Sequence, residues 1–250
     1  MLIKDQAICI RTIDYAETSQ VITLLTDTYG KIRAIAKGSK RPRSPFGGPI
    51  EVFSYGPAVI LDKPHAQLGT LTEFQPRFEI ISGLTRNLQA YNAAMLAAEL
   101  VDRFTKDHDP HPGLYQLVLG FLRDVVSGPN PLPATIGFQL GLLRQVGMQL
   151  VLDGCANCRR PYSEDWPAYY FSSSANGLVC RDCEGSFPDR MMLGLEAVRG
   201  LQDQANLASA GPVARSVARI LIDHITRILG HQLRTARQFL QGMACHGSSG

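Results

Sequence analysis

The sequence predicts an α+β protein: a small β-barrel first, then a helical domain interrupted by a cysteine-rich insert. Three observations predict it. Short stretches with period-two alternation fill the first eighty residues. Beyond Pro76 apolar residues recur at helical spacing. Two CxxC pairs then break the helical pattern. The expected domains are 1–80 for the barrel and 81–250 for the helical part, with the cysteine knuckle at 154–188.

The elements follow in order. Gln6–Ile13 is short and rich in isoleucine, and Gln20–Thr28 alternates with apolar groups on both faces, as a strand in a partly covered barrel should. Tyr29-Gly30 turns the chain into Lys31–Lys37. There Ile32, Ala34 and Ala36 face one way, while Lys31, Arg33, Ile35 and Lys37 face the other. Ile50–Tyr55, Ala58–Leu61 and Gln67–Phe74 read as further strands. Five or six short strands with a long loop after the third suit an OB-fold; the pattern alone also fits a β-sandwich.

Helices come next. Thr85 is the expected N-cap of a helix carrying Leu88, Tyr91, Met95, Ala98 and Val101 on one stripe. Leu114–Val126 and Ala134–Gln149 follow, then the irregular insert, then Met191–Gln204. Pro212 opens a long helix with Val213, Val217, Ile220, Ile225 and Ile228 on its apolar side. A last helix spans Leu233–Gln241, and the tail Cys245–Gly250 is expected to be disordered.

Composition excludes several classes. The 250 residues are 45% hydrophobic and 19% charged, enough apolar material for a packed core. The N-terminus lacks the pattern of a signal peptide, and no run is long enough to span a bilayer, so a soluble intracellular protein is expected. The net charge of +3 says little as a total, but its distribution is uneven. Lys31, Arg33, Lys37, Lys40, Arg41 and Arg43 fall within thirteen residues, and no acid lies between Asp27 and Glu51. Gly38, Ser39, Ser44, Gly47 and Gly48 lie among or just beyond them and allow close backbone approach. Such a surface neutralises phosphates and releases counterions, which favours nucleic-acid binding over an ordinary solvated face. Tyr15, Tyr29, Phe46, Phe53 and Tyr55 are candidate base-stacking platforms. Arg215, Arg219, Arg234 and Arg237 mark a second basic region, as readily a solvated helix face as a partner surface.

Cys155, Cys158, Cys180 and Cys183 carry the most specific chemistry. Two CxxC turns separated by twenty-one residues place four thiolates around one tetrahedral Zn²⁺ at about 2.3 Å each. Four thiolates leave no open coordination position, so the expected ion is structural, one per chain. Gly154 and Gly177 are expected to serve the tight turns at the two pairs. Trp166, Tyr162, Tyr169, Tyr170 and Phe171 read chiefly as local packing around the insert. No phosphate-binding GxxxxGK[ST] loop, GxGxxG, HExxH or GxSxG occurs. Asp102, Asp107 and Asp109 read as a solvated helix end. Without a nucleophile, base or open metal, no enzyme is expected.

The N-terminal run, with Glu17-Thr18-Ser19, Tyr29-Gly30-Lys31 and Ala36-Lys37-Gly38 leading into the basic loop, resembles the bacterial RecO recombination-mediator family. The CxxC pairs and the segment Leu233–Leu240 also sit where that family has them. The resemblance implies an N-terminal OB-fold, a helical bundle and a zinc-bearing C-terminal region. It implies binding of single- and double-stranded DNA without sequence preference, with Lys31, Arg33, Lys37, Lys40, Arg41 and Arg43 facing the DNA. It further implies strand annealing and association with RecR and with single-stranded DNA-binding protein. These would help RecA load onto coated strands, in the cytoplasm and at the nucleoid. Two rival readings are a zinc-ribbon regulator that reads a DNA sequence and a redox enzyme that uses the CxxC pairs.

Overall fold

A computed structural model describes residues 1–62, 67–207 and 211–244. Strands β1 (Leu2–Tyr15), β2 (Ser19–Thr26), β3 (Lys31–Ala36), β4 (Tyr55–Leu61) and β5 (Gly69–Phe74) form a closed barrel in the order β1-β2-β3-β5-β4. The barrel is OB-like, and the α+β class holds. β1 is long enough to pair with β2 through its second half and with β4 through its first. A bulge between Cys9 and Arg11 lets it bend from one partner to the other. Side chains such as Ile3, Ile22, Leu24, Ile32, Ile60 and Leu71 fill the interior.

One expected strand is not a strand. Ile50–Tyr55 is a turn, and only Tyr55 enters β4. The Gln20 side chain takes both backbone bonds that a ladder would have given Ile50: its amide donates to Ile50 O at 3.1 Å and its oxygen accepts from Ile50 N at 2.8 Å. Phe53 and Ser54 instead bond to Cys9 at the bulge, at 2.7 and 2.9 Å.

Helices α1 (Glu79–Leu84), α2 (Leu88–Phe104) and α3 (Leu114–Ser127) belong to the barrel's compact unit, Met1–Gly128. The short α1 has no counterpart in the sequence reading. The N-cap of α2 is Asn87 rather than Thr85; its carboxamide oxygen accepts from the N–H groups of Gln89 and Ala90 at 3.0 and 3.2 Å. Both α2 and α3 pack on β1. The expected boundary near residue 80 marks the change of period, whereas the compact units divide at 128/129. The reason is that β1 has apolar residues on its outer face, Ile8 and Ile10, which need a cover.

The second unit, Pro129–Gly250, holds α4 (Pro131–Gln145), α5 (Leu195–Gln202), α6 (Gly211–Leu229) and α7 (Ala236–Ala244). α4 begins earlier than expected because prolines suit a first turn, and Asn130 caps it by accepting from Leu132 N at 3.0 Å. Both α4 and α5 pack on α6. A three-stranded sheet, β7-β6-β8, comes from β6 (Tyr169–Ser172), β7 (Gly177–Cys180) and β8 (Met191–Leu193). Met191–Leu193 was expected to be helical; pairing with Tyr169–Phe171 makes it an edge strand instead. The tail Cys245–Gly250 lies outside the described residues, as does the link 208–210. No helix among the described residues is long and apolar enough to cross a membrane.

Candidate nucleic-acid interface and metal centre

The six cations of the basic stretch divide into three groups. Lys31 is only 6% exposed. Its ammonium donates to the backbone oxygen of Asp102 at 2.7 Å and to the Asp102 carboxylate at 3.0 Å, with Asp107 at 3.8 Å. Arg33 is open to solvent, yet its Nε donates to Asp107 Oδ2 at 2.6 Å. Arg11 reaches the same cluster through Asp102 at 3.4 Å. The last turn of α2, with Asp102, and the segment after it, with Asp107, therefore bring two carboxylates onto the outer face of β3. A bridge between Lys31 and Asp107, with His108 N bonded to Lys31 O at 2.8 Å, fixes that segment there. Lys31 is thus not the solvent-facing cation expected from alternation. The alternation itself is correct; a helix end seventy residues away covers the position.

Lys40 forms the second group, pairing with Asp14 at 2.7 Å. Lys37, Arg41 and Arg43 form the third. All three are exposed, and among the described residues no carboxylate lies within ion-pair reach of them. They sit on a loop that is firmly held. Lys40 N donates to Thr18 O at 3.0 Å and Gly38 N to the Ser19 hydroxyl at 3.3 Å. Further on, Phe46 and Ile50 enter the barrel core. The loop projects charge from anchored backbone.

The aromatic candidates separate just as sharply. Phe46, Phe53 and Tyr55 are 5%, 2% and 8% exposed, so they are core residues and not stacking platforms. Tyr29 packs partly against the barrel core. Tyr15, at 55% exposure, remains.

The four cysteines do converge. The sulfurs of Cys155, Cys158, Cys180 and Cys183 all lie within 4.8 Å of one another, a set that could hold a metal ion. The first CxxC turn closes through Cys155 N to Arg160 O at 2.8 Å and Arg159 N to Cys155 O at 2.9 Å. The second follows directly from β7, with Cys183 N bonded to Cys180 O at 3.1 Å. Gly177 serves this arrangement differently from the expected turn. A Cβ there would lie 2.2 Å from the Val151 carbonyl oxygen, so it is the close approach of the Val151 backbone, bridged to Gly177, that requires glycine.

The thiols respond to this crowding in opposite ways. Burial works against ionisation of Cys155, but the N–H groups of Cys158, Cys180 and Asn157 outweigh it and bring the thiol down to about 6. Burial, together with the thiols of Cys155, Cys183 and Cys158, pushes Cys180 up to about 12. Four sulfurs this close cannot all ionise without a cation among them, and a bound metal supplies one. The donor set therefore fits a thiophilic ion. In the same insert, Tyr162, Trp166 and Tyr169 form a ring cluster with centroids 6.0 to 6.2 Å apart. Trp166 donates its indole N–H to Pro161 O at 3.1 Å. These aromatics pack locally.

Two family models cover nearly all of this architecture. Recombination protein O N terminal matches residues 1–78, and Recombination protein O C terminal matches residues 85–237, more than half of the chain. The chain belongs to the RecO family. Among its relatives is the DNA repair protein RecO of Anaeromyxobacter sp. (strain K), 32% identical over 249 residues and covering 95% of each chain. The DNA repair protein RecO of Bacillus subtilis (strain 168) is 33% identical over 202 residues, covering 81% of this chain and 76% of the relative. That of Rhodopirellula baltica is 30% identical over 200 residues, covering 80% and 74%. The family match spans both the barrel with its basic loop and the unit with the four cysteines. The residues missed from sequence are Asp102 and Asp107; the only signal for them was an acidic cluster at a helix end, which is common on solvated surfaces.

Proposed function

We propose that this RecO-family protein acts in DNA repair and recombination by binding and presenting DNA strands. The observation that carries this reading is the anchored loop with Lys37, Arg41 and Arg43. Cations that no carboxylate among the described residues neutralises, on backbone already ordered, gain contacts with phosphate without a folding cost. The contact goes to the backbone, so it carries no sequence preference and serves single and double strands. Lys40 contributes beside Asp14, whereas Lys31 and Arg33 act mainly by holding the α2 end to β3. Two strands neutralised on such a surface approach and anneal faster. No turnover is required; binding is the activity.

The family membership supports assembly with RecR and contact with single-stranded DNA-binding protein, so that RecA can load on the coated strand. It also supports action in the cytoplasm, at the nucleoid. The four cysteines are assigned to one structural Zn²⁺, which would supply the folding free energy that a short insert lacks. Purified protein should carry one equivalent of zinc per chain; less than half an equivalent would reject the site.

The test of the DNA surface is the variant K37A/R41A/R43A. Binding should weaken uniformly across sequences, and the slope of log K against log salt should flatten by roughly 0.7 to 0.9 for each lost phosphate contact. Unchanged affinity and slope would remove the loop from the interface.

A further inference from the structure

The four clustered sulfurs differ in access. Cys155 and Cys180 are buried, Cys183 is half-buried, and Cys158 is open to solvent. They differ in partners as well. Cys155 Sγ accepts the N–H of Cys180 at 3.4 Å. Cys158 Sγ meets Cys180 Sγ at 3.8 Å, across the gap between the two CxxC turns. The Arg160 guanidinium, paired with Asp182 at 2.7 Å, lies within electrostatic reach of both of these sulfurs. One exposed thiol of the first turn therefore touches one buried thiol of the second, beside a cation. A reagent arriving from solvent meets the cluster at Cys158.

Cys180 is also a structural residue. It ends β7 and pairs with Tyr169, the first residue of β6. Tyr169 stacks on Trp166, the only tryptophan of the chain, with centroids 6.2 Å apart and planes 19° apart. Two residues further along β6, Phe171 meets the buried ring of His224 on α6. A displacement of Cys180 thus passes through one strand pair to the tryptophan and to the contact between sheet and helix. Three strands of three or four residues have little core of their own, so their order depends on the ion that the sulfurs share.

We propose that Cys158 and Cys180 form an oxidation-sensitive lock: a hydroperoxide joins them in a disulfide, the metal is released, and the sheet β7-β6-β8 loosens. This rests on the assignment of the four cysteines to one zinc ion and adds to it a regulation and the two residues that carry it. The Cys158 thiolate attacks the O–O bond of hydrogen peroxide, which gives a sulfenic acid and a hydroxide. The Cys180 thiolate then attacks that sulfur, the S–S bond forms, and a second hydroxide leaves. The two sulfurs give up two electrons, the peroxide takes them, and two protons from solvent turn both hydroxides into water. Two of the four donors are consumed, and Cys155 and Cys183 alone hold the ion too weakly to keep it. A reducing dithiol reverses the bond and returns the donors.

The experiment treats the zinc-loaded full-length protein with hydrogen peroxide. A chromogenic chelator reads zinc release, alkylation after an acid quench with mass spectrometry reads each thiol and each disulfide, and emission reads Trp166. Cys158 and Cys180 should lose alkylation together and ahead of Cys183, and a Cys158–Cys180 disulfide should appear. One equivalent of zinc should leave per disulfide, with a red shift of Trp166 emission. Cys9, fully buried in the barrel, should stay reduced throughout. Dithiothreitol with added zinc should restore the thiols and the emission. A first disulfide within one turn, Cys155–Cys158 or Cys180–Cys183, would overturn the pairing. Zinc retained after the disulfide forms, or released with unchanged emission, would overturn the lock. Oxidation of Cys9 at the same rate as Cys158 would show general unfolding by peroxide and overturn it too. Untreated protein that carries no zinc would remove the metal assignment, and the lock with it, before any peroxide is added.

Discussion

At the scale of single residues, partners decide what a side chain can do. Alternation assigns Lys31 and Lys37 to one face, but Lys31 opens β3 with its ammonium on Asp102, while Lys37 follows directly after the strand and is open. Only the open one can exchange counterions for phosphate. His224 shows the same dependence for protonation. It is 1% exposed, its ring edge meets Phe171 at a centroid distance of 5.5 Å, and neither ring nitrogen has a hydrogen-bond partner among the described residues. Burial, helped by Arg227 and opposed by Asp189, lowers its pKa from 6.5 to about 4. Such a group favours the folded state fully above its unfolded value. That contribution is lost as pH falls from about 6.5 through 4, because the unfolded chain takes up the proton first. His224→Phe keeps a ring at the site and removes the titration. Denaturant midpoints measured from pH 7 to pH 4 should decline less for the variant than for the unsubstituted protein. Parallel declines would remove His224 as a source of acid sensitivity.

At the scale of elements, the basic loop depends on apolar anchors more than on its own sequence. The chain between β3 and β4 carries glycines, serines and prolines that suggest mobility. Phe46 and Ile50 bind it to the barrel core instead, and Gln20 bonds Ile50 from below. Removing a buried phenyl ring costs about 3–5 kcal/mol, part of it from the cavity left behind. Phe46→Ala should therefore destabilise the barrel unit by an amount of that order in chemical denaturation. DNA binding should also weaken although no charge is lost, with the salt slope nearly unchanged, because the cations remain but their backbone is less ordered. Full DNA affinity in a destabilised Phe46→Ala protein would show that loop order contributes nothing to binding. The segment after α2 is a second element with a structural task. By lying against β3 at Lys31 it covers the barrel wall where β5, paired only at Ala34 and Ile35, does not reach.

At the scale of the whole molecule, two compact units carry different chemistry. The four cysteines lie in Pro129–Gly250, while the loop cations lie in Met1–Gly128. Calorimetry should resolve two transitions. A strong chelator should lower only the one that belongs to the cysteine-bearing unit, since metal binding and folding are linked there. DNA binding by the basic loop should survive chelation at temperatures below that lowered transition. A single transition that shifts as a whole would show that the units unfold together. The sheet β7-β6-β8 is the element expected to loosen first, because β7 ends on Cys180, one of the four clustered cysteines.

Much of this was legible in the chain itself. Period-two alternation placed β2 and β3 and the inward residues Ile32, Ala34 and Ala36, because strand geometry is local. The spacing of the cysteines named the four sulfurs that meet, because a CxxC turn presents its two thiols without help from elsewhere. The helical stripes placed α2, α3 and α6 for the same local reason. What the sequence could not reveal came from contacts between distant segments. Asp102 and Asp107 reach β3 across about seventy residues; Gln20 replaces a ladder partner for Ile50; Met191–Leu193 becomes a strand because β6 offers it an edge. Alternation assigns a side chain to a face, but only the packed neighbours determine whether that face meets water, another side chain or a ligand. For this protein, the local pattern determined that a basic strand and loop exist. The tertiary structure decided which of its cations remain open, since pairing and burial depend on residues that sequence proximity does not bring together.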